Sequence, residues 1–437
     1  MEESTVTDLI QQEIKKGFLS GPFQIPPFKQ YRVSPIGLAT GKYSGKKRLI
    51  VDLSAPHEDE NNPSVNELIN KEECSLSYVR IEDAIDIIKK IGPGAVMCKT
   101  DISDAFKLIP IQPSQWHLFC VKWDNQYYYY KRLAFGCRSS PKIFDNLSLA
   151  ICWIASENYK VRNILHLLDD FITINSPKVD GKLTMDTLLH IFETLEIPLA
   201  SHKTEGPCCE VEYLGIVLDS VKMEARLPVV KLERLLQMLK EFDGRKSLTK
   251  LELLQLLGHL NFASRVVPVG KSFISYLITL STTVTSMRHH VRLNFDCRED
   301  IHMWIYFLIH WNGISLFRDS NISQAADMEL YTDASATLGF GGYFQGKWFS
   351  SEWPVNLQLH GKQSKKASSV SIAYRELYPI VVACILWGRY WERKQVLFWC
   401  DNIATVDIIN KGRSKALNMM PLMRKLTLCA AQNNFTV

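Results

Sequence analysis

The stretch Ile164–Asn175, ILHLLDDFITIN, sets two apolar, β-branched runs on either side of two consecutive acids. Ile164–Leu168 and Phe171–Asn175 are each long enough for a strand, and Asp169-Asp170 leaves room only for a tight reversal. The spacing predicts a hairpin with two carboxylates at its tip. Adjacent strand residues point to opposite faces, so normally one acid of such a pair faces a given site. Asp101 follows another apolar run, Ala95–Cys98, at or near the end of a strand. Three acids meeting from two such elements repel one another unless a cation joins them. Hard divalent cations prefer oxygen, and Mg²⁺ uses a couple of carboxylates together with substrate phosphates. Such a site suits phosphoryl or nucleotidyl transfer by two metals. Taken alone, an acid pair between apolar runs is also an ordinary surface turn.

The chain around this feature is of ordinary globular composition. Its 437 residues are 46% hydrophobic and 22% charged, which excludes a largely disordered chain. Net charge is only +5, and a total says little about where the charges sit. Leu147–Ala155 and Tyr378–Trp387 are apolar but well short of the ~18–20 residues that span a bilayer. The N-terminus MEESTVTDLIQQEIKK lacks the basic flank and apolar core of a secretory signal. The 11 cysteines are scattered with no CxxC and no zinc pattern. They read as reduced thiols of an intracellular protein, in cytoplasm or nucleus, with no membrane partner.

Along the chain, a helix is expected at Thr7–Lys16, then a Pro/Gly-rich connector and a strand at Arg48–Leu53. Helical spacing of Ile81, Ala84, Ile85, Ile88 and Ile91 ends at Gly92-Pro93-Gly94. A strand at Val96–Thr100 and a hairpin of Phe119–Trp123 with Tyr127–Arg132 follow. Then come helices at Pro141–Glu157 and Leu183–Leu195, and strands near Val211–Leu218. From Pro228 to Trp311 the pattern is helical. Leu232, Leu235, Leu236, Leu239 and Phe242 form one face, and Leu251, Leu254, Leu257, His259 and Phe262 continue it in a second helix. Residues 312–327 read as a polar loop. The last part reads as a strand (Glu329–Thr332), a Gly-rich hairpin (Gly339–Phe349), a helix (Ile372–Arg389), a strand (Val396–Cys400), a further helix, and a strand start at Phe435. Strands and helices in two mixed blocks indicate an α+β class.

The second block carries its own acids. Asp333 ends ELYTD, Glu376 lies in an apolar helix pattern, and Asp401 ends VLFWCD. Asp333 and Asp401 could simply cap following elements. Glu376 is harder to dismiss, because an unpaired buried Glu is costly.

Three stretches occur in order: KTDISDAFKLIPI (Lys99–Ile111), LAFGCRSSPKIF (Leu133–Phe144) and LLDDFITI (Leu167–Ile174). Together they resemble the palm motifs of reverse transcriptases. ASHKTEGPCCEVEYLGIVLD (Ala200–Asp219) resembles the two motifs that follow, and KKRLIVDLS (Lys46–Ser54) the fingers strand upstream. The ordered series spans roughly residues 20–310. Its wording, with GHLNFASRVVP (Gly258–Pro268), is most similar to the DIRS/Ngaro-type, tyrosine-recombinase retrotransposons. The resemblance implies that Asp101 and Asp169 hold two Mg²⁺ (or Mn²⁺) ions with Asp170 in support. Lys203 falls where a lysine protonates the leaving pyrophosphate. Phe106 falls at the aromatic that excludes a ribose 2′-OH, though it also reads as a core Phe. Lys46, Lys47 and Arg48 fall where basic side chains hold the triphosphate, and Phe135-Gly136 where the backbone passes the nucleotide. The family usually has Tyr at Leu167, Pro at Ala134 and Ala at Ser140. The first departure puts efficient extension in doubt.

YTDASATLGFGGYF (Tyr331–Phe344), REL (Arg375–Leu377) and CDN (Cys400–Asn402) resemble ribonuclease H. That resemblance makes Asp333, Glu376 and Asp401 metal ligands. It also requires a fourth acid on a later helix. The sequence ends at NNFTV without one, so weak or absent hydrolysis is expected. Between Arg226 and Lys271, nine Lys/Arg face four acids, an expected grip on a duplex backbone with salt-sensitive affinity. Lys362, Lys365, Lys366 and Arg375 form a second basic stretch.

The expected architecture is therefore a right-hand polymerase followed by a C-terminally truncated ribonuclease H-like domain. Fingers and palm occupy 1–225, thumb and connection 226–327, and the ribonuclease H-like domain 328–437. The expected activity is RNA-directed DNA synthesis from dNTPs on an RNA template and DNA primer, with the RNA–DNA hybrid also bound. The rival expectation is a weak or inactive remnant that only binds nucleic acid. An unrelated metal-dependent nuclease would leave the first 310 residues unexplained.

Overall fold

The acidic hairpin belongs to a four-stranded antiparallel sheet in the computed structural model, which describes all residues except 1–2, 42–44, 46, 58, 60, 312–313, 318–321, 325–326, 355–370 and 393. The sheet order is Glu205–Cys208, Val96–Asp101, Asp170–Asn175, Ile164–Leu167. Five of the six residues of Asp170–Asn175 are buried, so this strand has protein on both faces. Helices Ile81–Ile91, Ser140–Glu157 and Gly181–Thr194 pack on the sheet. The N-terminal helix Glu3–Lys15, the sheet and the loops between them share one apolar core that includes Val6, Leu49, Phe106, Phe144 and Phe171.

Two further sheets complete the first 213 residues. Leu19–Phe23, Gln126–Tyr130, Cys120–Trp123 and Val33–Ser34 form one, and Ile36–Thr40 pairs with Lys47–Val51 in a hairpin. The segment expected to be a Pro/Gly-rich connector thus contains three strands. Its register was hidden because the partners lie far along the chain: Leu19 sits opposite Tyr130. The predicted strand Arg48–Leu53 is Lys47–Val51. The tyrosine-rich hairpin turns at Asp124-Asn125, both at positive φ, as expected of a two-residue turn.

Contacts divide the chain into Met1–Tyr213 and Leu214–Val437. The cut lies upstream of the expected boundary at 225, and the second unit holds both the helical segment and residues 328–437. The region expected to be strand from Val211 to Leu218 is two strands, Glu210–Tyr213 and Ile216–Asp219, broken by Leu214-Gly215 at positive φ.

In the second unit, helices Val229–Asp243, Lys250–Ala263, Ser275–Ser281 and Phe295–His310 carry the helical pattern. The first buries Leu232, Leu235, Leu239 and Phe242, as its spacing predicts. The second corrects the prediction. It buries Leu253, Leu256, Leu260 and Ala263, while Leu251 is half exposed. The helix is apolar almost all round, so periodicity alone could not choose its inner face. Residues 312–327 contain two short strands rather than a plain loop. Ile314–Leu316 pairs with Glu224–Arg226, and Ile322–Gln324 lies parallel to Gln395–Leu397.

The C-terminal part is a three-stranded meander, Leu330–Ala334, Gly339–Phe344 and Lys347–Glu352, with helix Ile372–Trp387 packed on it. Phe340 meets Tyr378, and Phe344 and Phe349 meet Trp387. Strand Gln395–Leu397 and helices Ile403–Lys411 and Met420–Gln432 follow. Phe435 is buried in this core, and Thr436 bridges in parallel to Gln395, where a strand start was expected. Arg424 on the last helix pairs with fully buried Asp300 on Phe295–His310.

Candidate active site and a second carboxylate cleft

Register brings the first acids together. Asp101, the last residue of its strand, lies directly opposite Asp170, the first residue of the next. Residues directly opposite in an antiparallel pair share a face. The turn itself is Leu168-Asp169, with Leu168 at φ 53, so the expected Asp169-Asp170 tip is shifted by one residue. The shift follows from pairing Asp170 with Leu167. The turn is anchored on both sides. Ile102 N–H donates to the Asp169 carbonyl at 2.9 Å, and the Ser148 hydroxyl donates to the Leu168 carbonyl at 2.8 Å.

Cations already surround these acids. Lys203 Nζ donates to Asp101 Oδ2 at 2.7 Å, from a short 3-10 turn, Ser201–Lys203. Ala200 N–H also donates to the Asp101 carbonyl at 2.8 Å, which holds that turn beside the strand end. Lys99 Nζ lies 3.9 Å from Asp170 Oδ1 and donates to the Glu212 carbonyl at 2.7 Å. Burial raises the Asp169 carboxyl above its ordinary range, with Asp101 adding to the shift and Lys203 and Arg48 opposing it. Burial also pushes Asp170 up to about 6, against Lys99 and with the help of Asp101 and Asp169.

Asp170 Oδ1 is buried without a hydrogen-bond partner, as is the hydroxyl of Tyr213, whose titration burial pushes upward with Asp170 adding to the shift. Burial with an unsatisfied oxygen and mutual repulsion is the state a bound divalent cation relieves, so the donor set fits a metal. The three carboxylates are not gathered into one tight cluster. Among the described residues, the group of three donor atoms mutually within 4.8 Å is instead Glu376, Cys400 and Asp401.

The other predicted residues surround this sheet edge. Arg48 reaches over the Phe135 ring at 6.0 Å and feels the charge of Asp169. Lys47 lies beside it on the same strand, and Lys46 lies outside the described residues. Phe106 is a core residue, with Phe135 at 5.0 Å and Phe144 at 5.6 Å. Gly136 was expected to make room for a ligand. In the structure, the close approach is to backbone: at φ 107, a Cβ there would lie 2.0 Å from the Val51 carbonyl oxygen. Two departures from the family pattern meet each other, since the buried Ser140 hydroxyl donates to the Ala134 carbonyl at 3.1 Å. Leu167 is half-buried at the hairpin end.

Sequence reasoning missed several supports. Asn66 donates to the Gly136 carbonyl at 2.8 Å and accepts from Arg138 N–H at 2.8 Å. Ser148 left one signal, a small polar residue in line with Phe144, Ile151 and Ala155 on a buried helix face. Asn66 left none, because its partners are distant in sequence.

The second set of acids lines an open cleft with Thr332, Ile380, Trp399 and Cys400. Asp333 lies inside its strand, opposite Gly341, rather than at its end. Asp333 and Asp401 are exposed and Glu376 is half-buried, so the acids expected to be metal ligands look onto solvent. Helix capping does not explain Asp401, because the neighbouring Asn402 caps Ile403–Lys411 through Thr405 N–H at 3.0 Å. Burial, then Asp401 and Asp333, raise the Glu376 carboxyl.

The expected basic grip is partly spent on internal bonds. Arg226 pairs with Asp219 and Glu224, Arg245 with Glu252, and Lys231 and Lys250 donate to the Gly215 and Val284 carbonyls. Lys240, Lys246, Arg265 and Lys271 are exposed. Lys362, Lys365 and Lys366 lie outside the described residues, and Arg375 is buried over the Trp353 ring. No described helix is long and apolar enough to cross a membrane.

Residues 15–218 match the family of reverse transcriptases (RNA-dependent DNA polymerases). Protein P of duck hepatitis B virus is 22% identical over 264 residues in strains DHBV-16 and DHBV-3, covering 60% of this chain. The chain spans 30% and 32% of the length of those relatives. The foamy viral protease-reverse transcriptase dRH in complex with dsDNA aligns with a TM-score of 0.55 at 15% identity, over 99% of this chain and 69% of that one. The foamy viral enzyme in complex with an RNA/DNA hybrid gives 0.54 at 15% identity, over 99% and 53%. The fold is that of a right-hand polymerase with mixed helix and strand content.

Proposed function

We propose that this chain is an RNA-directed DNA polymerase of a retrotransposon that extends a DNA primer with dNTPs on an RNA template. The observation that carries the reading is the register of Asp101 against Asp170, with Asp169 at the adjoining turn, inside the matched segment. The wording of the motifs through Gly258–Pro268 supports a DIRS/Ngaro-type origin. Functionally, fingers and palm take 1–225, thumb and connection 226–327, and a ribonuclease H-like domain 328–437.

Asp101 and Asp169 would hold divalent cations, Mg²⁺ or Mn²⁺, with Asp170 in support. When bound, these ions polarise phosphoryl oxygens and favour an ionised 3′-OH. The chain's own residues do the positioning. Arg48, with Lys46 and Lys47, grips the triphosphate through its planar donor fork. Phe106, wedged against Phe135 and Phe144, forms a rigid wall where a 2′-OH would have to fit. Phe135-Gly136 lines the base side, held by Asn66. Lys203 rests on Asp101 and would deliver a proton to a departing oxyanion near that carboxylate. Asp333, Glu376 and Asp401 form the metal-binding face of the ribonuclease H-like domain, for which the RNA–DNA hybrid is the substrate.

Primer extension on an RNA template with Mg²⁺ and dNTPs tests the polymerase reading. Asp169→Asn is expected to lower extension about a hundredfold or more, the scale of losing a cation's transition-state stabilisation. Extension indifferent to that substitution would rule out the site. A parent protein that binds hybrid but never extends a primer would favour the second reading, a nucleic-acid-binding remnant, which Leu167 supports.

A further inference from the structure

We infer that Cys400 is a metal ligand, making the second cleft a mixed sulfur–oxygen centre that takes thiophilic divalent cations such as Zn²⁺ or Cd²⁺ in competition with Mg²⁺. The inference rests on reading that cleft as a metal site, but the carboxylates of the ribonuclease H resemblance include no sulfur.

The donors are already assembled. Cys400 Sγ and one carboxylate oxygen each of Glu376 and Asp401 lie within 4.8 Å of one another. Ligands bound tetrahedrally to one zinc at about 2.0–2.3 Å are separated by roughly 3.3–3.8 Å, so the three donors need to close by about an ångström. Asp333 and Thr332 face the same cleft from the meander. Adjacent residues of a strand would diverge, but strand Gln395–Leu397 has ended before Cys400, and both Cys400 and Asp401 line the cleft.

The loop is also held in place. The Asn402 side chain caps the next helix, and the Thr405 hydroxyl donates to the Ala373 carbonyl at 3.1 Å. That bond ties the first turn of Ile403–Lys411, which directly follows the loop, to the first turn of the helix bearing Glu376. The contact of the Cys400 thiol with the Asn402 carbonyl, at 3.9 Å, is long and leaves the sulfur available to a stronger ligand. Three carboxylates line this one cleft, and their mutual repulsion favours a bound cation. A sulfur donor then changes which cation is preferred. Thiolate favours Zn²⁺ and Cd²⁺, whereas Mg²⁺ gains nothing from it. On binding, the metal–sulfur bond forms as the thiol proton leaves to solvent.

The experiment is a Cd²⁺ titration of the full chain, read by the ultraviolet sulfur-to-cadmium charge-transfer band, with Zn²⁺ affinity measured by competition. Ten other cysteines make the difference between parent and Cys400→Ser the informative signal. One equivalent of the band should disappear in Cys400→Ser, and Zn²⁺ should bind that variant at least about tenfold more weakly, the usual scale for disturbing a metal's ligand shell. Glu376→Gln should weaken the same equivalent, and excess Mg²⁺ should displace it only at much higher concentration. A band identical in parent and Cys400→Ser, with unchanged thermal unfolding of both, would overturn the inference. If the band behaves as expected while the chain neither binds nor cleaves hybrid in Mg²⁺, the metal centre stands and the ribonuclease H-like reading falls. If hybrid is cleaved and the band is unchanged, the nuclease reading stands and Cys400 is not a ligand.

Discussion

Asp170 shows how a single side chain is unsettled by its surroundings. Burial pushes its carboxyl from 3.8 up to about 6, and one of its oxygens has no hydrogen-bond partner. A carboxyl raised on folding binds its proton more tightly in the native state. Its contribution is therefore fully present below pH 4 and is lost as pH rises through 6. A shift of this size corresponds to about 3 kcal/mol, an order-of-magnitude figure. Asp170→Asn should then stabilise the metal-free protein at pH 7–8 and flatten its stability between pH 4 and 6. Urea unfolding across pH in the presence of chelator measures both. A variant with the parent's pH slope would show that Asp170 is not the strained group. The same residue shows what local reading can do: ILHLLDDFITIN located the carboxylates, but not which one sits in the turn.

Between elements, a loop is fitted to a hairpin with no slack. Gly136 lies where a Cβ would meet the Val51 carbonyl oxygen at 2.0 Å, and its φ of 107 suits glycine. Val51 N–H in turn donates to the Phe135 carbonyl at 3.2 Å. Through these contacts the hairpin carrying Arg48 is registered on the loop carrying Phe135. Gly136→Ala is expected to cost about 2–4 kcal/mol, from steric overlap and backbone strain together. Chemical denaturation checks the figure, and a loss under 0.5 kcal/mol would mean the loop has room to move. The motif LAFGC pointed to Gly136 but for a different reason. A tight approach by a partner 85 positions upstream leaves no mark on local sequence.

Across the second unit, helix Phe295–His310 and helix Met420–Gln432 are joined by the buried Asp300–Arg424 pair. The Arg424 guanidinium also lies over Phe273 and Tyr276. Burial pushes Asp300 up to about 7 even with Arg424 beside it. Removing one partner of such a pair leaves an uncompensated charge, at a cost of about 3–5 kcal/mol. Arg424→Ala should therefore lower stability strongly at pH 8. The loss should shrink at pH 6, where Asp300 is protonated, and Asp300→Asn should rescue part of it. Equal losses at both pH values, or no rescue, would count against the pair as the joint.

Residue order alone determined the motif series, both sets of acids, and the strands and helices with clear periodicity, such as Ile81–Ile91 and Ser140–Glu157. Those signals are local: alternation, helical spacing, and acids beside apolar runs. Tertiary structure alone decided the inner face of Lys250–Ala263, the strands hidden among prolines and glycines, and the parallel pairing of Ile322–Gln324. It also put Cys400 beside Glu376 and tied Asn66 to Gly136. These are contacts between residues far apart in the chain, and they form only once the core has chosen which surfaces to bury.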